Sequence, residues 1–412
     1  MNEVAVRSRS ARWLTPSVLG FGLASFLSDA GHEAATAALP GLLLLLGSAP
    51  AALGVIEGLS DGLSSFAKLA GGFWADRPHL RKPIAVVGYL TTGITTGAYG
   101  LATVWWHLLL SRGLGWFARG ARGPSRDAML SDSVPREALG RAFGLHRAAD
   151  TAGAIVGPAV AAALLTAIPL RHVFLYAMIP GVLASIAFLA LVRPQRETPA
   201  PRQAFWRSVS ALPRDYRRFL VAVFFFGLGD FARTLLILRA TQLLSPGAGP
   251  GRAAATAMGL YVVHNVVYAA ASYPVGHLAD RMRPRGLLVV GYAVGTLTAM
   301  LAAVATADLW LLVILFLAAG LTLAFEDTLE GTIAGLEVPP EIRGTGYGVL
   351  ATVNGIGDLL SSTLVGVLWS VAGAPIAFWA AAALCLVGTV ALAISFSRGS
   401  KKRSPQPEAL VP

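Results

Sequence analysis

The chain has 412 residues, 55% of them hydrophobic and only 13% charged, with a mean hydropathy of +0.63. A soluble domain of this length is far more polar, so water is not the main solvent. The formal net charge of +11 is scattered over short loops and forms no single patch with interleaved aromatics, which argues against a nucleic-acid partner.

Apolar runs fill the chain in order at 17–46, 51–74, 83–103, 106–131, 139–168 and 171–192, and again at 218–244, 254–279, 285–306, 309–336, 344–371 and 375–396. Each meets or exceeds the roughly 20 residues a helix needs to cross a bilayer core. They lack the period-two alternation of barrel strands, so the prediction is twelve transmembrane helices. Pro40 and Gly41 are expected to bend the first span without ending it. Arg7, Arg9 and Arg12 precede a run too long for a secretory signal, so this segment is expected to stay uncleaved. Trp105, Trp106 and His107 suit an interfacial anchor at the fourth span. Cys385 stands alone, so neither a disulfide framework nor a thiolate metal site is available.

Basic residues set the orientation, because Lys and Arg near helix ends are retained on the cytoplasmic side. With both termini in the cytoplasm of an inner-membrane protein, 23 of the 33 Lys and Arg fall in cytoplasmic loops, tails and adjoining helix ends, against Arg171 and Arg252 opposite. An internal repeat accompanies this bias. The segment from Gly72 to Arg77, with Asp76, recurs 204 residues later from Gly276 to Arg281, with Asp280. Val134, Pro135 and Glu137 recur at the same offset as Val338, Pro339 and Glu341. The chain therefore divides into residues 1–192, a first six-helix half; 193–217, an Arg- and Pro-rich cytoplasmic linker; and 218–412, a second six-helix half with a short basic tail.

Gly72, Asp76, Arg77, Arg81 and Lys82 between spans two and three resemble the signature of the major facilitator superfamily, and Gly276, Asp280, Arg281, Arg283 and Arg285 resemble its second copy. The residues after Asp-Arg are Pro78 and Met282, where the family has glycine. The resemblance covers about Leu19 to Phe396 and implies an all-α membrane fold of two six-helix halves related by a pseudo-two-fold. It implies further that Asp76 and Asp280 latch onto helix N-termini of the opposite half, near Gly344 and Gly140, where the dipole favours an anion. Gly153, Gly157 and Pro158 in span five resemble the antiporter motif of drug and proton exchangers, although small residues four apart are also generic packing devices.

Ionisable residues inside spans are costly and usually face a cavity. Span one holds Asp29, His32 and Glu33; span two holds Glu57 and Asp61 on one face; span four holds the stripe Arg119, Arg122 and Arg126; span ten holds Glu326 and Glu330; and span eleven holds Asp358. In the family, spans one, four, seven and ten line the cavity, so the stripe is expected to pair with span ten, Arg126 with Glu330. Asp29, Glu33, Glu57 and Asp61 are expected to form the coupling site. Asp29, His32 and Glu33 also suit a divalent metal.

No Gly-rich loop ends in Lys and Ser or Thr, and no helical His-Glu-x-x-His occurs, so neither ATP-driven pumping, a cofactor nor an enzyme is expected. The expectation is a monomeric secondary transporter that exports a small molecule by alternating access, with protons as the coupling ion. The alternatives are a metal-ion or metal-chelate transporter and a transport-inactive membrane sensor or scaffold.

Overall fold

The structure, a computed structural model, describes residues 13–75, 78–135, 139–193, 209–339 and 342–401. Within them the first half contains α1 (Pro16–Leu45), α2 (Pro50–Ala75), α3 (Pro78–Ala98), α4 (Trp105–Asp132), α5 (Leu139–Leu164) and α6 (Leu170–Leu191). The second contains α7 (Arg214–Gly227), α8 (Arg233–Ala248), α9 (Pro250–Arg281), α10 (Pro284–Val304), α11 (Leu309–Glu337), α12 (Arg343–Ala372) and α13 (Ala374–Lys401). Local signals set several boundaries. The Thr15 hydroxyl accepts from the Val18 N–H ahead of Pro16, and Asp308 caps α11 by accepting from Trp310 and Leu311. Gly249 and Gly373, at φ of +79° and +91°, make the tight reversals into α9 and α13. Pro40 lies within α1, which continues to Leu45 as expected.

Span seven is a correction, being two helices with a break at residues 228–232. Gly227 and Gly229 weaken the helix there; Gly229 packs too tightly on Ala381 and Cys385 for a Cβ, and Gly227 lies snugly against Gly357. The backbone groups freed in the break find partners on α12. Ser361 donates to the Asp230 carbonyl at 2.7 Å, and the Ala232 N–H donates to Ser362 at 3.0 Å.

By composition alone, α3, α6 and α9 to α13 are the seven described helices long and apolar enough to span a membrane. The shortfall elsewhere has a physical reason. Helices α1, α2, α4 and α5 carry the ionic groups inside their spans, and α7 and α8 are only 14 and 16 residues long.

Within the first half α1 packs on α5 and α6, α2 on α4, and α3 on α4 and α6; within the second α9 packs on α11, and α10 on α11 and α13. Between halves the main contacts are α2 with α12 and α5 with α9. The 204-residue offset exchanges these two contacts, as a pseudo-two-fold requires. Close approach depends on glycine. A Cβ on Gly54 or Gly366 would strike the facing backbone across the α2–α12 seam.

The two ends of the molecule differ. At the end opposite the basic loops, a single apolar cluster joins both halves, with Leu39, Leu42 and Ile56 from one and Leu235, Met258 and Phe316 from the other. At the basic end each half has its own cluster, one around Phe21, Tyr89 and Phe188 and the other around Phe219, Tyr292 and Leu329. The halves are joined at one end and parted at the other.

Candidate functional site: a charged cavity between the halves

Where the halves part lies a cavity of about 550 Å³ lined from α1, α2, α4, α5 and the start of α12. Arg147 connects it to a second space of about 760 Å³, bounded by α5, α9 and α11 and lined by Tyr268 and Asp327. Spans one and four line it as expected and span ten contributes Asp327 and Thr328, but the lining also draws on spans two, five, eight and eleven.

Charges are layered along this cavity. At its floor Arg112 donates twice to Glu57, at 2.6 and 3.1 Å, and once to Thr36, with both ionic side chains almost wholly buried. Trp116 sits above, with the Arg112 guanidinium 4.1 Å from its ring centre and the His32 ring at 4.0 Å. Its indole N–H donates to Asp61 at 2.6 Å, and Tyr261, from the other half, donates to Glu33 at 3.0 Å. Nearer the mouth Arg119 binds Asp29 at 2.9 and 3.3 Å, Arg126 binds Asp127 at 2.9 Å, and Arg147 stands 3.7 Å from Asp150. Arg122 has only neutral partners: Ser28 at 2.9 Å, Thr92 at 3.3 Å and the Tyr89 ring 3.9 Å beneath its guanidinium.

The second half is arranged differently. Arg233 donates to Asp230 at 2.6 and 3.2 Å and lies 3.7 Å from Glu326, whose buried Oε2 has no hydrogen-bond partner. One turn on, Glu330 accepts from Tyr292 at 2.6 Å and from Asn354 at 2.7 Å, while Asp327 accepts from Tyr268. A pocket of about 10 Å³, room for one water, lies between Asp230, Arg233, Thr298 and Thr322.

Three expectations are corrected. Arg126 and Glu330 do not meet, since Arg126 takes Asp127 and Glu330 takes Tyr292 and Asn354. A two-fold brings equivalent residues together only near its axis, and these lie in the parted region. Asp29, His32 and Glu33 do not form a metal site; among the described residues no three such side chains gather. Though one helix turn holds all three, each is engaged elsewhere, by Arg119, Trp116 and Tyr261 respectively. Glu57, expected beside the other coupling carboxylates, is instead locked to Arg112 just beneath the cavity floor and does not line the cavity.

The sequence pattern of the Major Facilitator Superfamily matches residues 21–247 and 250–411. The chain belongs to the major facilitator superfamily. It is 30% identical to an uncharacterized MFS-type transporter of Methanocaldococcus jannaschii over 87% of this chain and 90% of that protein. It is 28% identical to the multidrug resistance protein MdtG of Enterobacter lignolyticus over 66% of each. Among solved structures, a bacterial homolog of the human lysosomal transporter Spinster, inward-facing and unoccupied, superposes with a TM-score of 0.77 at 16% identity, covering 96% of this chain and 99% of that one. The nucleoside transporter NupG gives 0.74 at 15% identity, covering 92% and 98%.

Of the superfamily signature, Asp76 and Arg77 lie outside the described residues, as do the surroundings of Gly72 and the side chain of Asp280, while Arg281 is exposed. Arg81 donates to Asp132 at 2.9 Å, and its repeat partner Arg285 donates to Glu337 at 2.6 Å through two nitrogens. Each pair ties the start of a half's third span to the end of its fourth. Asp132 and Glu337 escaped the sequence reading, although they sit within one residue of the 204 offset. In the antiporter-like stretch, a Cβ on Gly153 or Gly157 would meet α1 backbone at Phe26 and Ala30, so these glycines set the α1–α5 approach.

Proposed function

We propose that this superfamily transporter is a proton-coupled exporter of a small molecule, working by alternating access in the inner membrane, with both termini and the open cavity on the cytoplasmic side. The observation that carries this reading is the contrast of ends: an apolar cluster shared by both halves at one, and an ionic cavity between them at the other. Cytoplasmic placement of the open end rests on its basic loops.

Coupling to protons is supported by the charge count at the break in span seven. Asp230 and Glu326 share the cation Arg233, on which Asp358 also acts, so with all of them ionised the cluster carries a surplus of negative charge in a buried setting. Taking up a proton reduces it, and a site protonated in only one cavity state supplies the differential binding that coupling requires. Export is supported by the likeness to MdtG and by the antiporter-like glycines.

The test is transport in proteoliposomes against an imposed pH gradient, with Glu326→Gln beside the wild type. The variant is expected to keep substrate exchange at equal concentrations and to lose gradient-driven accumulation. Accumulation that follows the pH gradient equally in both proteins would sink the proton site. A C-terminal fluorescent-protein fusion that stays dark in intact cells would reverse the orientation.

A further inference from the structure

The ionic residues of the 550 Å³ cavity divide into two groups. Arg119, Arg126 and Arg147 each have a carboxylate within 4.0 Å, namely Asp29, Asp127 and Asp150. The remaining four, Glu33, Asp61, Lys68 and Arg122, have no group of opposite charge within that distance among the described residues. Two are acids and two are bases. They are also separated in depth. Arg122 is held at the level of Ser28, whereas Glu33 stands five residues deeper on α1, about 7 Å at 1.5 Å per residue. Lys68 lies seven residues nearer the mouth than Asp61 on α2, about 10 Å on the same scale.

Leaving Arg122 without an anion is costly, since its side chain is only 2% exposed and its Nε has no hydrogen-bond partner. The deeper acids are likewise served only by neutral donors, the Trp116 indole and the Tyr261 hydroxyl. A ligand of single charge satisfies one layer and leaves the other unmatched. A ligand with a cation at one end and an anion at the other matches both.

We infer that the cavity is a binding site for a small zwitterion, its ammonium held deep by Glu33 and Asp61 and its carboxylate held nearer the mouth by Arg122 and Lys68. The assignment rests on the transport reading above and adds the substrate class to it. Tyr261 belongs to the other half, so a ligand engaging Glu33 touches the contact that joins the halves at this depth.

The test uses purified full-length protein and a panel of α- and ω-amino acids, each with its amide, which is a cation only, and its N-acetyl form, which is an anion only. Binding is read by thermal shift and by displacement of whichever radiolabelled member binds best. At least one zwitterion is expected to bind about tenfold or more tighter than both of its singly charged forms. Arg122→Gln and Lys68→Gln are expected to erase the preference over the amide, and Asp61→Asn the preference over the N-acetyl form. Exposed Lys68 gives a variant that keeps the test open if Arg122→Gln does not fold. A wild type that binds no member of the panel, or binds an amide or N-acetyl form as well as the parent, overturns the proposal. So does a preference unmoved in the folded variants. Counterflow in proteoliposomes separates the two readings. A zwitterion that binds and is not exchanged removes transport and leaves the site, whereas exchange of singly charged compounds alone does the reverse.

Discussion

The two halves share one repeat and one helix order, yet they handle ionic groups in opposite ways. In the first, most arginines that face the cavity have an acid of their own, and leftover charges of both signs line the same cavity. In the second, one arginine serves two carboxylates, and Glu330 and Asp327 rely on tyrosine and asparagine donors. The lesson is that duplication preserves the scaffold while the ionic content diverges; in the readings proposed above, the first half holds a charged ligand and the second gains and loses a proton.

The largest effect expected from breaking this contrast is at the floor of the cavity. Either Glu57→Gln or Arg112→Met strands a buried charge and is expected to cost about 3–5 kcal/mol, read as a large drop in melting temperature and detergent-soluble yield. The double variant is expected to recover most of the loss. Single variants as stable as the wild type would mean that first-half pairing is ornamental. A smaller effect separates tight from loose packing. Gly157→Ala drives a methyl into the Ala30 backbone and is expected to cost roughly 1–3 kcal/mol, whereas Gly331→Ala on α11 enters open space and is expected to lower the melting temperature by nothing measurable. Equal melting temperatures for the two would contradict the packing assigned to α1 and α5. The smallest effect sharpens what the halves have in common. Arg81→Gln and Arg285→Gln each remove a partly exposed ion pair and are expected to cost less than about 1 kcal/mol. Similar small shifts from both would mark these pairs as a shared device, and a large shift from only one would not.

The spans and the repeat were legible because hydropathy, basic loops and a constant offset are properties of the chain read in order. The break in span seven was not, because it depends on Ser361 and Ser362 of a distant helix supplying the partners that make an unwound backbone tolerable. Candidate residues were found by the cost of placing charge in lipid, which selects Asp29, Glu57 and Arg119 without saying which acid meets which base. Asp29 and Arg119 are 90 positions apart, and Glu57 and Arg112 are 55 apart. The sequence does hint at Trp116, an aromatic between Arg112 and Arg119, but its contact with His32 and Asp61 belongs to tertiary structure alone.

The apolar cluster that joins the halves has a kinetic meaning. In the cycle proposed here, turning the protein to face the other compartment pulls apart buried side chains such as Leu39, Leu42, Leu235 and Phe316, each worth about 1.5–3 kcal/mol when moved from packed to wet surroundings. An empty molecule therefore idles with its mouth toward the basic loops and seldom turns over, and a ligand shortens that wait only by binding the barrier state more tightly than the resting one.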